Sequence, residues 1–347
     1  MSSGLYFVLA VLLSLLGSMA CDKGTEPPPF KRDPNLQQLT FHDYDKPGAK
    51  WRGDTFFPVW ALDDKIYYTR SNDVINPAHQ FGGGDLWVID RTEETDTLLV
   101  KGLFGSLDLS PDGRWLLAVD KFTFCSTIDW AEGVLALFDL STMEKRIIST
   151  GTLKVLEAAF CPDSTGLAIV YYGYRSSSSP DGYYRIHVDG TDNQLLYARE
   201  NFVSGNYGNG LDVSWDGRKM IYLSENGRSD GMYPLSYPPV IKDLVTLDQT
   251  ILAFNVLWPR FNSDGSKIVC IMHDGLGGPI GIIDAHDGSL IETLDIEAYD
   301  RHRLGRTQAF FPCWSPDGTN IVFSGTYRNP DGGNPHAYDL WILSNLY

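Results

Sequence analysis

The sequence lacks the features of nucleic-acid-binding and membrane-spanning proteins. It has 28 Lys and Arg against 44 Asp and Glu, a formal net charge of −16, and no basic run of five or more residues. Because contact with phosphate through bulk charge needs a positive field, we predict neither a nucleic-acid partner nor adhesion to an anionic membrane surface. After the first twenty residues, no apolar run is long enough to cross a bilayer.

Metal and redox signatures are also missing. The five cysteines form no C-x-x-C pair, which argues against a redox or zinc site. We favour buried thiols over a disulfide for four of them, namely Cys125, Cys161, Cys270 and Cys313. The seven histidines show no ligand spacing, so we predict no metal and no cofactor. A metal site built across loops is the alternative to solvated histidines at His79, His273 and His336.

The N-terminus has the pattern of an export signal. Leu5 to Leu16 is apolar, and small residues follow it up to Ala20. Ala20-Cys21 with the polar, Pro-rich segment 22–33 resembles a bacterial lipoprotein signal. We therefore predict a signal peptide over 1–20, lipidation of Cys21, a disordered tether over 22–33 and a lipid-anchored protein of the cell envelope. Ordinary cleavage, which would give a secreted protein, remains the alternative.

A turn motif recurs along the rest of the chain. Phe311 to Ser324 has apolar runs on both sides of Ser-Pro-Asp-Gly, which favours a type I turn between two strands. The cognate segments are Ala61 to Asp64, Ser110 to Gly113, Cys161 to Ser164, Ser214 to Gly217, Asn262 to Gly265 and Ser315 to Gly318. Their Asp residues 63, 112, 163, 216, 264 and 317 are 49, 51, 53, 48 and 53 residues apart. Strand and turn signals with a period near fifty predict an all-β propeller.

The repeat phase predicts how this propeller closes. Each complete repeat has four strands, but the last one ends after its third strand, Asp339 to Leu343. A spare strand lies at the other end of the domain, over Gln37 to Phe41. We predict a six-bladed β-propeller of four-stranded antiparallel blades over 34–347, in which this strand pairs with Ile342 and completes the last blade.

The aromatic-Ser-Pro-Asp-Gly hairpin followed by a strand such as Asp85-Leu86-Trp87-Val88-Ile89-Asp90 resembles the WD-like repeat of TolB-type six-bladed propellers. It is also similar to the propeller domains of prolyl-oligopeptidase-like enzymes. The resemblance covers about residues 34 to 347 and implies the fold. TolB carries a further domain ahead of its propeller where this chain has the tether, so the resemblance implies no particular partner.

The one catalytic motif in the sequence does not fit a chain made of β-strands and turns. Gly227-Arg228-Ser229-Asp230-Gly231 matches a nucleophile elbow, but the Pro-rich segment after it cannot form the helix that an elbow needs. We therefore predict no catalytic residue and a binding or scaffold protein. The alternative is a glycan lyase or hydrolase with its site at the mouth of the central channel.

The long loops all follow the second strand of a repeat, so they are expected on one face, where binding residues usually reside. This loop-rich face holds many tyrosines, and the connection between repeats five and six holds a basic cluster. We predict a monomer that binds an envelope protein or a glycan there, through candidates Tyr174, Tyr183, Tyr233, Tyr327, Arg301, His302, Arg303 and Arg306. The alternatives are rings that pack loops together and arginines neutralised locally by Asp295, Glu297 and Asp300.

Overall fold

The computed structural model describes residues 35–40, 55–71, 83–120, 133–164, 166–174, 180–198, 210–223, 239–272, 279–294, 309–326, 338–344 and 346. They belong to one compact unit, Pro34–Tyr347. All the regular elements of these residues are β-strands. A helix with the length and apolar character to cross a bilayer does not occur within these ranges.

The strands follow the predicted repeat. The first are Leu36–Gln38 (β1), Thr55–Trp60 (β2), Lys65–Arg70 (β3), Gly84–Asp90 (β4), Thr95–Leu109 (β5), Trp115–Asp120 (β6), Val134–Asp139 (β7) and Glu144–Ile148 (β8). The next are Lys154–Asp163 (β9), Gly166–Tyr174 (β10), Gly182–His187 (β11), Gln194–Ala198 (β12), Asp212–Val213 (β13), Lys219–Leu223 (β14), Pro239–Asp243 (β15) and Gln249–Ile251 (β16). The last are Val256–Phe261 (β17), Lys267–Met272 (β18), Ile280–Asp284 (β19), Leu290–Leu294 (β20), Ala309–Trp314 (β21), Ile321–Thr326 (β22) and Tyr338–Leu343 (β23).

These strands form antiparallel sheets in a propeller arrangement. Four sheets have four strands each, in the orders β1-β23-β22-β21, β12-β11-β10-β9, β13-β14-β15-β16 and β17-β18-β19-β20. The first two repeats share one seven-stranded sheet, β2 to β8 in sequence order. Six separate four-stranded sheets, as predicted, are therefore not found. The reason is β5, which runs without a break from its pairing with β4 over Thr95–Phe104 to its pairing with β6 over Gly105–Leu109.

The predicted pairing of the N-terminal strand with the last strand is confirmed. Gln37 lies opposite Ile342 in an antiparallel ladder. Beyond the ladder, the buried Thr40 Oγ1 donates to Asp339 at 2.8 Å and accepts from the Leu340 amide at 2.9 Å. Leu36 is buried in the apolar cluster of the last two repeats. The first described strand is thus held by backbone, side-chain and apolar contacts to the last.

The repeated turn forms because its first side chain closes it. Ser110 Oγ donates to Asp112 at 2.5 Å and accepts from the Trp115 amide at 2.9 Å. The Gly113 amide donates to the Ser110 carbonyl at 2.8 Å, and Gly113 has φ +70°. This left-handed conformation is the reason for glycine at the fourth position.

The other copies vary in informative ways. Ser214 and Ser315 repeat the pattern of Ser110. The weak first copy also turns, with Asp64 at φ +62° in place of glycine. In the third repeat the predicted turn is shifted, because β9 continues through Asp163 and the chain reverses before Gly166, which has φ +139°. This repeat has Ser164 at the fourth position of the predicted turn, where the other full copies have glycine.

Candidate functional site

The inner strands, defined here as the first strand of each repeat, surround a common centre. Four of them carry a β-bulge a few residues before the turn. A non-glycine residue with positive φ lies in each bulge, namely Phe57 (53°), Ser106 (47°), Trp258 (51°) and Phe311 (50°). Bulges of this kind re-aim side chains and are frequent near functional sites.

Three of these side chains form an aromatic wall. The ring centroids of Phe57 and Phe311 are 4.2 Å apart, and those of Trp258 and Phe311 are 4.6 Å apart. The same register of the second and third repeats is polar. There, Ser106 Oγ accepts from the Ala158 amide at 3.2 Å. This level of the inner strands is therefore apolar on one side and hydrogen-bonded on the other.

Charged side chains meet one level closer to the turns. The register two residues before each turn is occupied by Val59, Asp108, Ala159, Asp212, Arg260 and Cys313. Arg260 Nη1 lies 3.1 Å from Asp212 Oδ1 and 3.5 Å from Asp108 Oδ1. Arg260 Nη2 donates to the Leu107 carbonyl at 2.7 Å. We call this group the Asp108–Arg260–Asp212 bridge, since it joins β5, β13 and β17 from three different sheets.

The remaining carboxylate oxygens of the bridge are held by neighbouring inner strands. Asp108 Oδ2 accepts from the Phe160 amide at 2.7 Å, and Asp212 Oδ2 accepts from the Phe261 amide at 2.7 Å. In each case an aspartate of one repeat bonds the backbone of the next repeat. The bridge therefore ties the inner strands to each other as well as filling the space between them.

Burial sets the proton affinity of the bridge. It raises the pKa of Asp212 to about 7, against the opposing charge of Arg260 and with the added charge of Asp108. It also raises the pKa of Asp108, which Arg260 again opposes. Burial alone would lower the pKa of Arg260, but the charges of Asp212 and Asp108 outweigh it and the pKa is raised. The guanidinium therefore stays charged, and burial favours the protonated form of the carboxyl pair.

A small cavity of about 30 Å³ adjoins the bridge and is lined by residues of five inner strands or their turns: Val59, Trp60, Asp108, Leu109, Asp212, Trp215, Arg260, Phe261, Ser263, Cys313, Trp314 and Ser315. One water needs on the order of 10–15 Å³, whereas a benzene ring fits a cavity of roughly 150 Å³. The cavity therefore has room for one or two waters but not for a sugar ring. Burial raises the pKa of its thiol, Cys313, to about 11, so this group stays protonated at neutral pH.

Two of the predicted binding residues lie in the core. Tyr174 is 3% exposed and stacks on Tyr172, and Tyr183 is 1% exposed and packs against Tyr172 and Tyr222. They are strand residues, because β10 extends to Tyr174 and β11 begins at Gly182. They support the base of a loop, and their contact with a partner stays a prediction.

The other predicted residues lie outside the described ranges. These are Cys21, Cys125, His79, His273, His336, Ser229, Tyr233, Tyr327, Arg301, His302, Arg303 and Arg306. Their predicted roles stay predictions. Cys161, Cys270 and Cys313 are free thiols.

The bridge was not among the predicted sites, although the sequence contains a signal for it. Aligning the repeats on their turns places Asp108, Asp212 and Arg260 at one register, which is apolar or Cys in the other repeats. Charged residues between apolar neighbours on an inner strand point to a shared polar centre. Which of them meet depends on how the repeats are arranged around that centre, and a single repeat does not contain this information.

No protein-family model and no curated protein matches the chain. Among solved structures, TolB from Acinetobacter baumannii is similar over 81% of this chain, with 17% identity and a TM-score of 0.53. The match covers 63% of that TolB chain, so this chain spans less than two thirds of its length. Hydrazine synthase from Kuenenia stuttgartiensis matches 86% of this chain and 89% of its own, with 11% identity and a TM-score of 0.50. Tricorn protease matches 81% of this chain and 25% of its own, with 17% identity and a TM-score of 0.49. Likenesses at such low identity concern the fold alone, and the match to the Acinetobacter baumannii TolB shows that the chain has a TolB-like β-propeller fold.

Proposed function

We propose that this protein is an exported, lipid-anchored six-bladed propeller that binds an envelope protein or a glycan through its loop-rich face and does not act as an enzyme. It would reach the membrane only through a lipid on Cys21. The single observation that carries the binding role is that the described residues of the inner strands fill the centre. The Asp108–Arg260–Asp212 bridge occupies it, and the adjoining cavity of about 30 Å³ excludes a sugar or a peptide side chain of similar size.

The blade count is supported by the pairing of β5. Its first part pairs with β4 and its second part with β6, and the register shifts near the change of partner. Counting these parts as the outer strand of one blade and the inner strand of the next divides the seven-stranded sheet into two blades of four strands. With the other four sheets this gives six blades, in agreement with the six turn copies.

A filled centre directs recognition to the faces, and the repeat phase predicts suitable residues on the loop-rich face. The basic cluster of Arg301, His302, Arg303 and Arg306 is the densest positive segment of an acidic chain. A guanidinium can hold a carboxylate or a sulfate with two parallel hydrogen bonds. Tyr233 and Tyr327 would add flat apolar area with one polar end.

The test of recognition is binding to an immobilised sulfated glycan and to an immobilised polyglutamate peptide, measured by surface plasmon resonance. We expect Arg303→Ala with Arg306→Ala to weaken binding at least tenfold and to leave the melting temperature within a degree or two. The matched control is Arg114→Ala with Arg218→Ala, two exposed arginines that each directly follow a turn. Wild-type protein that binds neither probe, or a double variant that binds as wild type, would contradict this role for the basic cluster.

Anchoring is tested separately through Cys21. We expect Cys21→Ser to move the protein from the membrane fraction to the soluble exported fraction, since the variant has no thiol to carry a lipid. Circular dichroism of the two forms should be the same, because Cys21 precedes the propeller. A wild-type protein that is already soluble would contradict lipidation.

An enzymatic role is the second candidate, and one observation favours it. Two carboxylates and an arginine from different repeats converge in the centre, and the pKa of Asp212 is raised to about 7, a value suited to general acid and base chemistry. Their mutual contacts and the small cavity argue against it. Release of new sugar ends from an acidic glycan by wild-type protein, and its loss in Asp212→Asn, would support this candidate over the first.

A further inference from the structure

The bridge holds one more negative charge than positive charge when both carboxyl groups are ionised. Arg260 Nη1 faces both aspartates, at 3.1 Å from Asp212 and 3.5 Å from Asp108. The shorter distance is a hydrogen bond and the longer one exceeds the usual range for a good one. One guanidinium nitrogen therefore serves two competing carboxylates, and Asp108 has the weaker share.

The described residues around the bridge supply no second cation. Val59 and Trp60 face the cavity from β2, Phe160 donates its amide from β9, and Cys313 faces it from β21. Burial keeps the Cys313 thiol protonated by raising its pKa to about 11. Among the described residues that line the cavity, Arg260 is the one cationic side chain. An excess charge buried in this way is costly unless a proton neutralises it.

We propose that the Asp108–Arg260–Asp212 bridge is a proton-operated lock: a proton shared by the two aspartates keeps β5, β13 and β17 together, and its release loosens the inner strands around the centre. The two states differ in net charge at the bridge, which is zero with the proton and −1 without it. The amides of Phe160 and Phe261 report on the lock, because each donates to one of the two carboxyl groups. This device goes beyond the proposed binding role and does not depend on it.

The direction of the pH dependence follows from the raised pKa of Asp212, about 7 in the folded protein, against about 4 for an unfolded aspartate. Between these values the folded state holds a proton that the unfolded state has lost, so stability is full at the acidic end and falls as pH rises. For one proton the folding equilibrium constant falls up to about tenfold per pH unit in this window, and it levels off above the folded pKa. Exposed turn carboxyls with lowered pKa, such as Asp139 and Asp317, titrate below this window and oppose the trend only there.

The experiment compares the purified wild-type protein with Asp212→Asn and with a control, Glu292→Gln, which changes an exposed carboxylate on β20. Urea unfolding is measured from pH 5 to 8, together with amide exchange of Phe160 and Phe261 corrected for intrinsic rates. We expect the wild type and the control to lose at least tenfold in folding equilibrium constant between pH 5.5 and 7.5. Exchange at both amides should accelerate above about pH 7. In Asp212→Asn, neither the folding equilibrium constant nor the exchange rates of the two amides should change over this pH range.

Carboxyl ¹³C titration of the wild type adds an independent reading that needs no variant. A carboxyl of Asp108 or Asp212 that titrates near pH 7 supports the lock even where Asp212→Asn fails to fold. Both carboxyls titrating below pH 5 would overturn it. A folded Asp212→Asn that keeps the wild-type slope would overturn it as well.

Discussion

Gly217 and Gly318 occupy the same position in two copies of the turn, with φ of +69° and +71°. A Cβ on Gly318 would have no neighbour within 4 Å, whereas a Cβ on Gly217 would overlap the Pro162 carbonyl of the preceding repeat. Comparing the two glycines therefore distinguishes two physical reasons for having glycine at this position. Both need the left-handed conformation, and Gly217 also needs close backbone approach between repeats.

We expect Gly318→Ala to lower the free energy of unfolding by about 1–2 kcal/mol, the cost of a left-handed residue with a Cβ. Gly217→Ala should cost a further ~1–3 kcal/mol, because the overlap is with backbone that must move. Urea unfolding of the two variants against wild type measures both values. Equal losses would mean that the contact with Pro162 is unimportant for stability.

For individual residues, the turns were predictable from neighbouring residues in the sequence, whereas the Asp108–Arg260–Asp212 bridge was not. Ser110, Asp112 and Gly113 act within a few residues of each other, so their pattern is complete in the sequence. Arg260 contacts Leu107, which is 153 residues away. Such a contact follows from the arrangement of whole repeats, and the burial that raises the pKa of Asp212 follows from it too.

Among the elements, strand positions were predictable because alternating apolar residues and turn residues mark them. The strands predicted over Asp85 to Asp90 and Asp339 to Leu343 are found at Gly84–Asp90 and Tyr338–Leu343, each one residue longer at its start. The ends next to long loops were less predictable. β10 and β11 continue to Tyr174 and back to Gly182, which places two predicted loop tyrosines in the core.

The length of β5 shows why sheet boundaries are harder to predict than strands. Gly102 lies in the irregular part of the pairing with β4, just before the change of partner, and its amide donates to Asp85 at 2.8 Å. A Cβ on Gly102 would overlap the Phe104 ring. The chain therefore passes from one sheet to the next in an extended conformation, with a glycine where space is short. The sequence pattern of this segment indicates a strand but not a change of partner.

For the whole molecule, closure was predictable from a count of strands. The last repeat has three strands of its own and the N-terminal segment pairs as its fourth, so the partner of this segment was predictable before any contact was known. The observed ladder covers Leu36–Gln38, whereas the predicted strand was Gln37 to Phe41. The place of recognition stays a prediction, because the basic cluster and two of the four candidate tyrosines, Tyr233 and Tyr327, lie outside the described residues. A ligand depends on side-chain geometry that repeat spacing does not determine.

The central claim is that the propeller is one closed unit, joined where β1 pairs with β23, and that this unit presents the binding face. Thermal melting of chains beginning at residues 22, 34 and 43 tests it most directly. Loss of 22–33 should change the melting temperature by no more than a degree or two. Loss of 34–42 as well removes the ladder, the buried Leu36 and the contacts of Thr40 with Asp339 and Leu340. We expect this to lower the melting temperature by roughly 5–10 °C, since several kcal/mol are lost in a large domain. Three chains with the same melting temperature would contradict the claim.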